Sequence, residues 1–133
     1  MNAAEYRTLR EACGLSKQDA TVFHDVAPRT IDYWESGRNA VPDGAVQELL
    51  ELNALIERGV QNILLLVGEL ASAHGQPAQV ALTRYRTLDD YRGSRADLDG
   101  LPWACHNAMI GRAMVALARQ GQRAAISYGQ AAP

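Results

Sequence analysis

Only two cysteines, Cys13 and Cys105, occur in the chain, far apart and neither at metal-ligand spacing from another Cys or His. That usage excludes a disulfide framework or a zinc cluster as the origin of the fold and is what a reduced, cytoplasmic protein is expected to show. Each thiol reads as a small buried hydrophobe. An excess of one charge is lacking too: 13 basic and 15 acidic side chains leave a net charge of -2, so any anion-binding surface has to be local. The most apolar run, Ile63 to Gly68, is far shorter than the ~20 residues that span a bilayer, and the N-terminus has no basic-then-apolar signal pattern. No acid pair, Cys–His pair or phosphate-cradling glycine loop is present, so neither catalysis nor a cofactor is expected. His24, His74 and His106 lack catalytic partners and read as packing or surface residues.

What the sequence does contain is helical periodicity. At 133 residues and 47% hydrophobic, the chain suits one compact domain or a small domain with an extension. Ala3, Tyr6, Leu9 and Cys13 recur at helical spacing and Gly14 stops the helix. Ser16 and Asp19 form a capping box for a second helix of about two turns, with Ala20, Val22 and Phe23 as its apolar face. Pro28 suits the first turn of a third helix, which runs to about Ser36. There Ile31 and Trp34 share the inner face while Arg29, Thr30 and Tyr33 face outward, and Gly37 closes the end. Trp34 is above all a core residue.

Asp43 caps a fourth helix whose Val46, Leu49, Leu50, Leu52, Leu55 and Ile56 make a broad buried stripe, and Gly59 bends or divides it from a fifth helix reaching Ala73. His74 to Pro77 marks a boundary. Beyond it, Val80 to Arg86 alternates as a half-exposed strand, Thr87 starts a short helix through Arg92, and Gly93 to Leu101 is a polar loop. Pro102 leads into a long helix carrying Trp103, Met109, Ile110, Met114 and Leu117; Arg123 to Tyr128 forms a last strand pairing with the first, and Gln130 to Pro133 is a frayed tail. The expected fold is mainly α: an N-terminal five-helix helix-turn-helix domain over 1–75, then a small α+β strand-helix-helix-strand region over 76–133. One helix-turn-helix offers a small interface, so modules of this kind usually act in pairs. The second region, with its apolar Trp103, Ile110 and Met114, is the expected homodimerisation element, the alternative being a closing layer over the N-terminal helices.

The segments "LREACGLSKQDATVF" and "VAPRTIDYWESGRNAVPDG" resemble the Cro/CI (XRE) helix-turn-helix family, which implies a lambda-repressor-like fold and binding to double-stranded DNA. That resemblance implies base contacts from Gln18, Pro28, Arg29, Thr30 and Tyr33, and phosphate contacts from Ser16, Lys17, Arg38 and Asn39. It also implies an ion pair between Glu35 and Arg10. Arg29 is the strongest candidate base reader, because its planar fork takes guanine O6 and N7 together. Ala27 departs from the family's usual Ser or Thr and has no side chain with which to cap the helix.

Over nearly the whole chain, "YWESGRNAVPD", "YRTLDDY" and "LPWACHNAM" resemble YdiL-type proteins and the anti-CRISPR-associated (Aca) autorepressors. The resemblance implies a sequence-specific repressor that acts as a homodimer on an inverted repeat in its own promoter, and that RNA is bound by some relatives. For RNA the sequence offers one hook: residues 67–133 hold 7 arginines against 5 acids, and Arg84, Arg86, Arg92 and Arg95 alternate with Tyr85 and Tyr91. An antitoxin-like, protein-binding regulator is the alternative from another class.

Overall fold

The computed structural model describes residues 1–94 and 100–130. Arg95, the centre of the polar stretch Gly93–Leu101, and residues 131–133 of the expected tail lie outside the described residues. Among the described residues, six helices and two strands follow one another as α1 (Ala3–Ala12), α2 (Lys17–His24), α3 (Pro28–Glu35), α4 (Asp43–His74), β1 (Val80–Arg84), α5 (Leu88–Gly93), α6 (Trp103–Arg119) and β2 (Ala124–Tyr128). They make two compact units, Met1–Leu55 and Ile56–Pro133, and the division falls inside α4.

In the first unit the helix starts are written in short polar motifs. Asn2 accepts from the Glu5 amide and Glu5 reaches back to the Asn2 amide, a reciprocal cap. Ser16 and Asp19 repeat the device at α2, and each such cap contributes about 0.5–2 kcal/mol. The turn into α3 is made by Asp25, whose φ of 55° is left-handed, a conformation its short polar side chain tolerates better than most. Pro28 takes the first helical position, and Ala27 makes no side-chain cap. Tyr6, Cys13, Leu15, Ala20, Ile31, Trp34, Ala45, Leu49 and Leu52 form the core. Val22 is not on the inner face of α2: it is 74% exposed, and Ala20, Thr21 and His24 are buried. At about 100° per residue, Val22 points almost opposite Ala20.

The fourth and fifth expected helices are one helix, so residues 1–75 contain four helices rather than five. Gly59 does not break it. A β-carbon at Gly59 would overlap the side chain of Met109 on α6, so this glycine makes room for a packed neighbour rather than ending a helix. Ile56 and Val60 are buried on either side of it, outweighing the roughly 1 kcal/mol that glycine costs a helix relative to alanine. Leu50, assigned to the buried stripe, is 45% exposed.

In the second unit β1 and β2 pair in parallel, from Val80 opposite Ala124 to Arg84 opposite Tyr128. A parallel pair needs a crossover, and α5 and α6 supply it. Asn107 on α6 accepts from the Tyr85 amide and donates to the Tyr85 carbonyl, and His106 Nε2 lies 3.0 Å from the Thr83 carbonyl. These bonds fasten α6 to the end of β1. Leu82, Tyr85, Tyr91, Leu101, Cys105, Met109, Ile110, Ala113 and Leu117 are buried around them.

His24 is buried against Tyr6, Phe23 and Trp34, with Nε2 2.9 Å from the Tyr6 hydroxyl. Among the described residues nothing hydrogen-bonds its Nδ1, and Glu48 Oε1 lies 3.7 Å away. Burial holds the imidazole below its ordinary pKa, against the pull of Glu48. The unfolded chain therefore takes up this proton first, so the stability His24 contributes is complete above the ordinary histidine pKa and is lost as pH falls through the depressed folded value. Thermal melts should show the melting temperature dropping between pH 7.5 and 5, with a shallower drop in His24→Gln; equal slopes would remove His24 as the cause.

Candidate nucleic-acid interface

The interface is built on α3, and α3 is held from behind. Arg10 on α1 donates through Nε to Glu35 Oε2 at 2.7 Å and through Nη2 to Glu35 Oε1 at 3.0 Å. Its Nη1 donates to the Leu15 carbonyl at 2.7 Å, so one guanidinium joins α1, the turn before α2 and the end of α3. Both side chains are about 5% exposed. Behind them the Tyr6 and Trp34 rings meet edge to face at 5.5 Å, and burial and then the Glu35 carboxylate push the Tyr6 hydroxyl up to about 12. It therefore stays neutral beside the pair. Gly37 at φ 79° closes α3, and the Asn39 amide donates to the Tyr33 carbonyl at 3.1 Å.

The opposite face is open. Pro28, Arg29 and Asp32 are exposed, and Thr30 and Tyr33 half-buried. Among the described residues no hydrogen bond or ion pair holds the Arg29 guanidinium. Its neighbours are more constrained. Lys17 Nζ lies 2.8 Å from Asp32 Oδ1, an ion pair between the start of α2 and the outer face of α3 with both side chains more than half exposed. Arg38 lies over the Tyr33 ring, 4.4 Å from its centre, so the guanidinium and the phenol ring orient each other. The Ser16 hydroxyl oxygen accepts from the Asp19 amide, which leaves its proton for another acceptor. Gln18 and Asn39 are exposed. Asp32 was not among the residues read from sequence; its place three residues after Arg29 on the same helical face was the available signal.

The residues expected to dimerise are differently disposed within the second unit. Ile110 is 4% exposed and serves its own core. Trp103 is half-buried and its indole N–H donates to the Tyr85 carbonyl at 2.8 Å. Met114 alone of the three is exposed, at 41%. The tyrosines of the RNA hook are also spent on packing: Tyr85 is 8% and Tyr91 1% exposed, and the Tyr91 hydroxyl donates to the Leu101 carbonyl. Arg84 and Arg86 instead face Tyr128, with Arg86 4.1 Å from the ring centre.

Comparison with known proteins adds a family and a relative. The family described as Aca2/YdiL-like matches residues 1–124. The "Aca2 repressor" of Pectobacterium phage ZF40 is 32% identical over 104 residues, which is 77% of this chain and 84% of that protein.

Breaking the Arg10–Glu35 pair on one side strands a buried charge. Glu35→Ala should cost about 3–5 kcal/mol in urea unfolding, and the double replacement Arg10→Met with Glu35→Leu should recover a large part of that loss. A Glu35→Ala cost below about 1 kcal/mol, the range of an exposed pair, would place the bridge in solvent instead.

Proposed function

This chain belongs to the Aca2/YdiL-like family, and from that premise we propose that it is a sequence-specific transcriptional repressor whose α3 enters the major groove of an inverted-repeat operator in its own promoter. Its name marks the phage relative as a repressor. The observation that carries the reading is the contrast across α3. One face is fixed by the buried Arg10–Glu35 bridge, and the other presents Arg29, which no hydrogen bond or ion pair holds among the described residues, beside an oriented Tyr33. A rigid helix fixes where the Arg29 backbone stands, so base reading has only its side chain left to order on binding. Arg29 takes a guanine edge. Gln18, Pro28, Thr30 and Tyr33 line the groove, and Ser16, Lys17, Arg38 and Asn39 meet backbone phosphates.

The protein acts as a homodimer, since a module with one short recognition helix gains affinity by being paired over half-sites about one helical turn apart. The second unit, within the 76–133 region and the adjoining part of α4, carries the contact. Leu65, Leu66, Leu70, Met114 and Val115 are exposed there, at 41% to 64%, large apolar side chains that pairing would remove from water. Leu66 and Leu70 line an open apolar groove with Val80 and Leu82.

Two measurements test the proposal. Binding to upstream and scrambled duplexes across a salt series should show preference for the upstream DNA, and Arg29→Ala should reduce that preference by about 5- to 150-fold, the value of one bidentate base contact. Undiminished discrimination would displace Arg29 as the reader. Sedimentation of the full chain should give a dimer, and Met114→Glu or Leu66→Glu should shift it toward monomer; a wild-type monomer at tens of micromolar would overturn the dimer.

A further inference from the structure

We propose that Asp32 is a base-selecting residue that demands a cytosine at one position of each half-site, and that Lys17 is the counterion that shields it until DNA arrives. The inference rests on the reading that α3 enters the major groove. Asp32 is one helical turn from Arg29 on the same outward face, a spacing of about 5–6 Å between β-carbons, so a helix that brings Arg29 to a base edge brings Asp32 to the same or the neighbouring pair. A carboxylate accepts hydrogen bonds and donates none. In the major groove guanine offers two acceptors and thymine one, and adenine sets an acceptor beside its amine. Cytosine offers a donor alone. The acid thus favours cytosine and works against the other three.

The ion pair explains how the acid is carried without penalty in the free protein. Lys17 Nζ sits 2.8 Å from Asp32 Oδ1, with side-chain exposures of 53% and 58%. Pairs this exposed are screened by water and separate at little cost. A phosphate beside the start of α2 competes directly for Lys17, and once Lys17 moves, Asp32 has lost its counterion in a groove walled by negative charge. Only a base donor then satisfies it. Residues 1–66 carry 10 acids against 6 basic groups, so no general positive field masks an uncovered carboxylate there. Mismatched sites are penalised by the bare acid as much as correct ones are rewarded, which is how specificity is built by repulsion.

Selection from a randomised duplex library by the full chain distinguishes the outcomes. Wild type should enrich a motif with a fixed cytosine beside the guanine read by Arg29. Asp32→Ala should flatten that single column by about 5- to 150-fold and leave the other columns intact, and Asp32→Asn should move it toward adenine, whose amine and N7 an amide pairs with. Lys17→Ala should keep the cytosine column while weakening binding to all sequences, with the salt slope reduced by about 1. If Asp32→Ala, verified as folded by its circular dichroism melt, selects the wild-type motif with every column within twofold, the pair is only a surface bridge and the proposal is wrong. If wild type enriches no motif at all, the groove-reading function itself fails, and the base-selecting role with it.

Discussion

The first unit depends on a guanidinium placed where water does not reach. A buried Arg–Glu pair adds little net stability over apolar residues of similar volume, because desolvation offsets the Coulomb gain. Its effect is directional. Dispersion among Tyr6, Ile31 and Trp34 would tolerate small rotations of α3 against α1, whereas two parallel N–H···O bonds from Arg10 to Glu35 and a third to the Leu15 carbonyl admit one arrangement. The end of α1, the turn before α2 and the end of α3 are therefore set by one side chain. The N-terminal end of α3, where Arg29 stands, inherits that setting through two turns of helix.

This division of labour explains the uneven bonding along α3. Its C-terminal half is closed by Glu35, by the left-handed Gly37 and by the bond from the Asn39 amide to the Tyr33 carbonyl. Its first turn has neither a side-chain cap nor an acid, so that end of the helix and the Arg29 guanidinium present positive character outward. A negative partner meets a helix end held on a fixed frame, and binding has only the Arg29 side chain left to order.

The features legible in sequence were local ones. Ser16 with Asp19, Pro28 and Gly37 signal their roles within four residues, and the structure places α2 and α3 where those signals put them. What escaped was nonlocal. Gly59 has the composition of a helix break, and its actual role is set by Met109, 50 positions later. Tyr85 and Tyr91 alternate with arginines as exposed residues would, and are buried because α6 brings His106 against both rings. Ile110 and Met114 are one turn apart and both apolar, yet one is core and the other surface; periodicity locates an apolar face without saying whether that face meets its own chain or another.

Charge places a final constraint on how such a protein can work. With acids outnumbering bases in residues 1–66, the proposed binding to DNA would meet repulsion that opposes counterion release from a few lysines and arginines, and sequence-independent attraction would be weak. A repressor with strong background affinity spends its time on random sites; one with weak background affinity depends on base contacts and on pairing two modules. Both routes require rigidity, since a misaligned reader loses its bidentate geometry and a loose dimer loses the register between half-sites. Under the proposed function, the buried bridge in the first unit and the exposed apolar side chains of the second meet the same need: each replaces general electrostatic attraction with fixed geometry.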